Sequence, residues 1–354
     1  MDFVERAEQI ILRKQRDKGE VNRNLASLMT KIATSEKIFL EPHNAAENAE
    51  AMPQDDHRMQ TDQHEAMART LEATGRYRVV RRLTQRSAVE PEDDCETRLG
   101  LFVDTETTGL DADRDEVIEL AMIRFIYGID GRVFRIGETF EKLRQPSRTI
   151  PAVVTALTGI DDAAVAGKVI DPAEVEAFAA TADLVVAHNA SFDRRFLERF
   201  CGVFARKPWA CSMSQVDWAS EGFEGTKLAY LAAGAGFFYD RHRAANDCGA
   251  AIELLASTLP RSGRTGLSHL LQAARRATWR IWAEDAPFAV KDRLRQRGYR
   301  WNGGGGASPR AWYVDVDEDA REREVAYLRE EIYRREVEPP MRPLTAYDRF
   351  SDRV

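Results

Sequence analysis

Cysteine is scarce in this chain and never paired. Cys95, Cys201, Cys211 and Cys248 are the four it has, and none stands in a CxxC spacing, which excludes a zinc knuckle and a disulfide framework. No apolar run approaches the roughly 20 residues that cross a bilayer, and mean hydropathy is −0.46. The opening stretch "MDFVERAEQIILRKQRDKGE" is charged throughout and has neither a continuous apolar core nor a cleavage site, so it does not read as a secretory signal. These absences point to a cytoplasmic protein with reduced thiols and no membrane partner. Positive charge is also short. With 51 Lys and Arg against 58 Asp and Glu, the formal net charge is −7, which argues weakly against a surface coated in nucleic acid but leaves a local basic face open.

What is present is a chain of 354 residues, enough for one sizeable α/β core with appendages or for two domains. Residues 1–40 carry short amphipathic patterns and read as helical. A polar, Pro-interrupted segment follows to about residue 63, then a short helix near 65–74, a strand-like "YRVVRR" and an acidic linker, "SAVEPEDDCETR". From Leu99 the pattern becomes dense. Three consecutive strands, "GLFVDTETT", "EVIELAMIRFIYG" and "RVFRIGETFEKL", precede alternating helices and a fourth strand, "DLVVAHNA". That order predicts an α/β mixed sheet flanked by helices, in a domain covering 99–260. Residues 1–98 form an extension, and residues 261–354 a small α+β module.

The chemistry is concentrated at a few acids. Asp104 and Glu106, two residues apart in "LFVDTETTGL", project from one side of a strand and would repel each other there. Solvated acids on an edge strand would explain the pair equally well, so the remaining motifs decide. In "VVAHNASFDRRFLE", Asp193 falls in the first turn of a helix, after possible caps Asn189 and Ser191. A plain helix-terminal acid is the commoner reading of that residue alone. In "DRHRAANDCGAAIELLA", Asp247 lies on an apolar helical row with Ala251 and Leu254, an expensive place for an unanswered charge. His242 precedes it by five residues; a lone histidine at a helix start is more often structural. Taken together, four acids on three elements with one histidine suit two divalent cations such as Mg²⁺ or Mn²⁺, about 3.5–4 Å apart, at a phosphodiester. His242 then serves as a base near neutral pH.

"DTETTGL", "HNASFDRRFL" and "HRAANDC" together resemble the three motifs of the DEDDh 3′→5′ exonucleases, the family that includes the epsilon proofreading subunit of bacterial replicative DNA polymerase. The resemblance covers residues 99–259. It implies a ribonuclease H-like fold, two metal ions held by Asp104, Glu106, Asp193 and Asp247, and His242 as general base. It also implies that Thr107, Gly109, Leu110 and Asn189 approach the substrate, and that "ALTGI" lies near it. Neither a Gln-led clamp-binding peptide nor that subunit's polymerase-binding tail is evident, so polymerase association stays open. DNA is the first expectation for substrate. Trimming of short RNA, or a non-catalytic accessory subunit built on the same fold, are the alternatives.

Between residues 261 and 300 basic residues outnumber acids. Trp279, Trp282, Tyr299, Trp301 and Trp312 are interleaved with Arg275, Arg276, Arg280, Arg297 and Arg300. Most of these aromatics read as core, whereas the Arg excess reads as a strand-holding surface. "NGGGGASP" lacks the Lys-Ser/Thr of a phosphate cradle and reads as a hairpin connection.

Overall fold

The computed structural model describes residues 54–91, 93–303 and 309–353. The helices expected over residues 1–40 and most of the connection at 302–309 lie outside them. The chain divides into two compact units, Met1–Arg78 and Val79–Val354. In the first, the helix expected at 65–74 already starts at Gln54 and runs to Ala73 (α1). Its polar first half contains no Gly or Pro, so nothing breaks it. It ends at Gly75, whose φ of 68° lies in the left-handed region that favours glycine.

The strand bearing the paired acids, β2 (Thr97–Thr107), follows a two-residue β1 (Arg81–Arg82) and lies in the middle of a five-stranded sheet. On one side β3 (Val117–Gly128) pairs antiparallel with it, and β4 (Val133–Leu143) pairs antiparallel with β3 at the edge. On the other side β5 (Leu184–Ala187) and β6 (Trp209–Cys211) run parallel to it. The sheet order β4-β3-β2-β5-β6 is the expected mixed sheet, and the edge-strand explanation of the two acids falls away.

Alternation along β2 sorts its residues to two cores. Phe102 joins Ile123, Phe125, Leu254 and Leu255 on one face, whereas Leu101 and Val103 join Leu120, Val175 and Leu197 on the other. The helices on the second face are α4 (Pro172–Ala179) and α5 (Ala190–Phe200), which follow two short helices, α2 (Ala152–Thr158) and α3 (Asp162–Val165). Asp171 caps α4 by accepting from the Ala173 N–H, and Pro172 occupies its first turn. The first face carries α6 (Leu228–Gly234), α7 (Ala244–Ala256) and α8 (Gly266–Arg275), with the short β7 (Phe237–Phe238) pairing β1. Ala251 and Leu254, on the row shared with Asp247, are buried against that face.

The C-terminal part is a four-stranded sheet of order β11-β8-β10-β9. It comprises β8 (Thr278–Ala283), α9 (Lys291–Gln296), β9 (Arg300–Trp301), β10 (Trp312–Asp317), α10 (Glu318–Tyr327) and β11 (Met341–Leu344). Its own small core holds Ile281, Leu294, Tyr299, Val325 and Leu328. The segment after β11 then returns to α5. Arg194, with no exposure, donates from Nη1 to the Arg349 carbonyl at 2.6 Å, from Nη2 to the Tyr347 carbonyl at 2.7 Å and from Nε to Glu198 at 2.7 Å. Ser351 adds a 2.6 Å bond to the second Glu198 oxygen. Breaking a buried pair on one side leaves the other charge uncompensated. Arg194→Ala is therefore expected to lower stability by about 3 kcal/mol, read from urea unfolding; a loss below about 1 kcal/mol would show that these bonds contribute little.

Candidate active site

All the acids singled out in the sequence meet at the C-terminal end of β2. Asp104 and Glu106 point to the face covered by α7, and Asp247 reaches them from the first turn of that helix. One carboxylate oxygen from each of Asp104, Glu106 and Asp247 lies within 4.8 Å of the others. Asp193 comes from α5 on the opposite face. Its Oδ1 accepts from the Thr105 backbone N–H at 3.1 Å and from the Thr105 hydroxyl at 2.9 Å, so the residue between the two paired acids holds the third. Asp193 is buried, and the other three keep some exposure.

Crowding like charges in a poorly solvated place disfavours ionisation. Burial first, then the charges of Asp193, Asp247 and Glu106, pushes Asp104 well up. Burial and the charge of Asp247 push Glu106 up to about 8. Burial brings Asp193 to about 7 despite the Thr105 bonds. Asp247 is raised by burial too, against the opposing pull of the Tyr239 hydroxyl and His242. Its two oxygens are held separately, Oδ1 by the Tyr239 hydroxyl at 2.7 Å and Oδ2 by the His242 backbone N–H at 2.9 Å. His242 has a φ of 62°, so the chain turns sharply just before α7.

A fifth acid belongs to this group, and sequence reasoning passed over it. Glu119 is fully buried on β3, directly opposite Glu106 in the ladder. Its Oε2 accepts from the Ala244 N–H at 2.9 Å and its Oε1 from Arg243 Nε at 3.0 Å. Glu119 thus pins the two residues that follow His242. The signal was available: an acid in the middle of "VIELAMI" is the same anomaly that drew attention to Asp104.

The expected substrate contacts divide. Leu110 is 48% exposed beside the site. The Thr107 hydroxyl donates to the Gly109 carbonyl at 2.5 Å. A Cβ on Gly109 would collide with the Asp115 carboxylate, so packing within the turn is enough to require glycine there. Asn189 does not cap α5 with its side chain, contrary to expectation. It is left-handed at φ 79°, and its Oδ1 instead accepts from the Ser191 hydroxyl. His188 before it bridges Ser212 and the Thr226 carbonyl, each at 2.8 Å, and burial pushes its pKa down to about 4.

A family model described as Exonuclease matches residues 101–255 of this chain. The DNA polymerase III epsilon subunit of Aquifex aeolicus (strain VF5) is 30% identical over 166 residues, covering 45% of this chain and 79% of that protein. The chain belongs to this exonuclease family. The domain that carries the acids is thus that of a nuclease, on a ribonuclease H-like fold. A DNA polymerase III subunit epsilon-like protein of Rhodobacter capsulatus is 45% identical over 103 residues, 27% of this chain, but the match spans only 14% of that longer protein. Exonuclease X, solved in complex with 5′-overhanging duplex DNA, is 27% identical over 49% of this chain and 98% of its own, with a TM-score of 0.39. Among the described residues, no helix is long and apolar enough to cross a membrane.

The electrostatics of this carboxylate cluster can be tested without substrate. Because the Glu106 pKa is raised in the folded state, the metal-free folded protein holds more protons than the unfolded chain between about pH 4.5 and 8. Stability therefore falls as pH rises through that window, and Glu106→Gln, which removes the burden, should stabilise the metal-free protein more at pH 8 than at pH 5. Equal gains at both would refute the raised pKa. Glu119→Gln should speed amide exchange at Ala244 and His242; unchanged protection would show that the start of α7 does not depend on Glu119.

Proposed function

We propose that the chain is a metal-dependent exonuclease that removes nucleotides from the 3′ end of DNA. The observation that carries this reading is the convergence of Asp104, Glu106 and Asp247 within 4.8 Å, with buried Asp193 beside them. Such a set is electrostatically unfavourable by itself and is suited to hard divalent cations, Mg²⁺ or Mn²⁺, whose ligands are oxygens. Zinc fits less well, since the set holds no cysteine. Asp104, Glu106, Asp193 and Asp247 would hold two such ions. When bound, these ions supply Lewis acidity to the scissile phosphate and lower the pKa of a coordinated water.

The chain's own groups do the rest. Thr105 fixes Asp193, while Tyr239 and the His242 backbone fix Asp247, so the carboxylates are oriented before any cation arrives. His242 takes the proton of the attacking water. Thr107, Gly109, Leu110 and Asn189 would face the terminal nucleotide, and the exposed Leu110 side chain offers an apolar surface to its base. DNA is favoured as substrate because the epsilon relatives are named for DNA polymerase III. A polymerase partner is not needed for this chemistry.

The test uses matched 3′-labelled and 5′-labelled DNA and RNA oligonucleotides with Mg²⁺, Mn²⁺ or EDTA. Metal-dependent shortening from the 3′ end of DNA is expected, with loss of about 10³-fold or more in Asp104→Asn and about 10²–10⁴-fold in His242→Ala. Full activity in His242→Ala would remove it as the base. Faster cleavage of RNA would reassign the substrate, and binding without cleavage in any lane would point to a non-catalytic subunit. Thermal unfolding gives an independent readout. Cation binding displaces protons from the raised carboxylates, so Mn²⁺ should raise Tm more at pH 8 than at pH 5. No shift at either pH would argue against a metal site.

A further inference from the structure

The Arg excess of residues 261–300 is largely neutralised by acids from elsewhere in the module. Arg280 pairs with Asp315, Arg293 with Glu331, and Arg297 with Glu324. Most of the aromatics are committed as well. Tyr299 is buried against Glu324, Trp282 is buried, and Trp279 packs against the small core. Two aromatics do not follow this pattern. Phe288 is 79% exposed and Trp301, on the edge strand β9, is 51% exposed.

Two cations and a third aromatic ring lie between them. The Lys291 ammonium sits 4.1 Å from the centroid of Phe288. Arg295 lies one helical turn further along α9, on the same face as Lys291, with its guanidinium 5.9 Å from the Trp312 ring. Trp312 in turn meets Trp301 edge to face at 5.6 Å. Lys291 has no acidic partner among the described residues, and Arg295 has only a loose, exposed contact with Asp292 at 3.4 Å. Exposed aromatic rings beside weakly answered cations offer a ligand both stacking faces and positive charge. Bases stack on the rings while phosphates meet the cations, and that combination suits a flexible single strand rather than a rigid duplex.

We infer that Phe288, Lys291, Arg295 and Trp301 form a second contact surface for single-stranded nucleic acid, apart from the carboxylate site. The strand it holds is the substrate of the proposed exonuclease, so the inference rests on that reading for its purpose but not for its test. Binding is measured on the full chain in EDTA, where hydrolysis cannot intervene, with a long single strand of about 30 nucleotides and a short one of about 4. Phe288→Ala and Trp301→Ala should each weaken binding of the long strand about tenfold, and the pair about a hundredfold, with short-strand binding unchanged. Lys291→Glu with Arg295→Glu, the first half-buried and the second exposed, should lower the slope of log affinity against log salt by about 1.4. Long-strand affinity unchanged in all these variants overturns the inference and leaves a protein partner as the occupant of the strip. Long-strand binding that depends on these residues, in a chain that cuts nothing with added metal, upholds the surface and refutes the exonuclease reading alone.

Discussion

Mutual repulsion among carboxylates governs this fold. Asp104, Glu106, Glu119, Asp193 and Asp247 are brought to one end of a central sheet, where burial first, and then the charges of their neighbours, raise the proton affinity of Asp104 and Glu106. Everything nearby answers that repulsion. Arg243 and the first backbone N–H of α7 meet Glu119; Thr105 meets Asp193; Tyr239 and the His242 backbone meet Asp247. These neutral donors orient the acids without cancelling their charge. Only Arg243 brings a full positive charge, and it goes to the acid that lies outside the three converging carboxylates. The site is therefore left with a deficit of positive charge that suits a cation.

The sheet makes the convergence possible because of where its acids are placed. Asp104 and Glu106 are on the central strand, so elements on both faces can reach its end: α7 directly, and α5 through Thr105. An edge strand would have left one side to solvent and the acids hydrated. The cost falls on local geometry. The ladder between β2 and β3 shifts register between Glu106 and Thr107, immediately after the second acid, and both turns that precede the acid-bearing helices contain a non-glycine residue at positive φ, Asn189 and His242. Such positions are sparsely populated for residues other than glycine, and here they flank the cluster of acids.

Much of this was legible in the sequence, and the gaps have physical causes. Long strands with strong apolar character, and helices with clear caps such as Asp171, announce themselves through local pattern. The short β6, β7 and β11 do not, because two to four residues carry no periodicity, and β11 contains Pro343, which suits a strand only at a sheet edge. The site acids were found through their spacing, whereas Glu119 was passed over although it interrupts an apolar strand; its partners, Arg243 and Ala244, lie more than a hundred residues away. The same distance effect misled the reading of the basic stretch. Its arginines look available in sequence, but Glu324 and Glu331 come back along α10 and the turn after it to meet them.

The bonds between Arg194 and the carbonyls of residues 346–349 also bear on how the protein is made. The guanidinium and its partners are separated by at least 152 residues. At ribosomal rates of about 5–20 residues per second, Arg194 waits on the order of ten seconds or more for the segment that satisfies it. Through that interval Arg194 lacks the three carbonyls and keeps Glu198, its partner on the same helix. The anchoring of α5 to the C-terminal segment is therefore completed last, whereas the bonds that orient the acids, from Thr105, Tyr239 and His242, lie within the part of the chain already made.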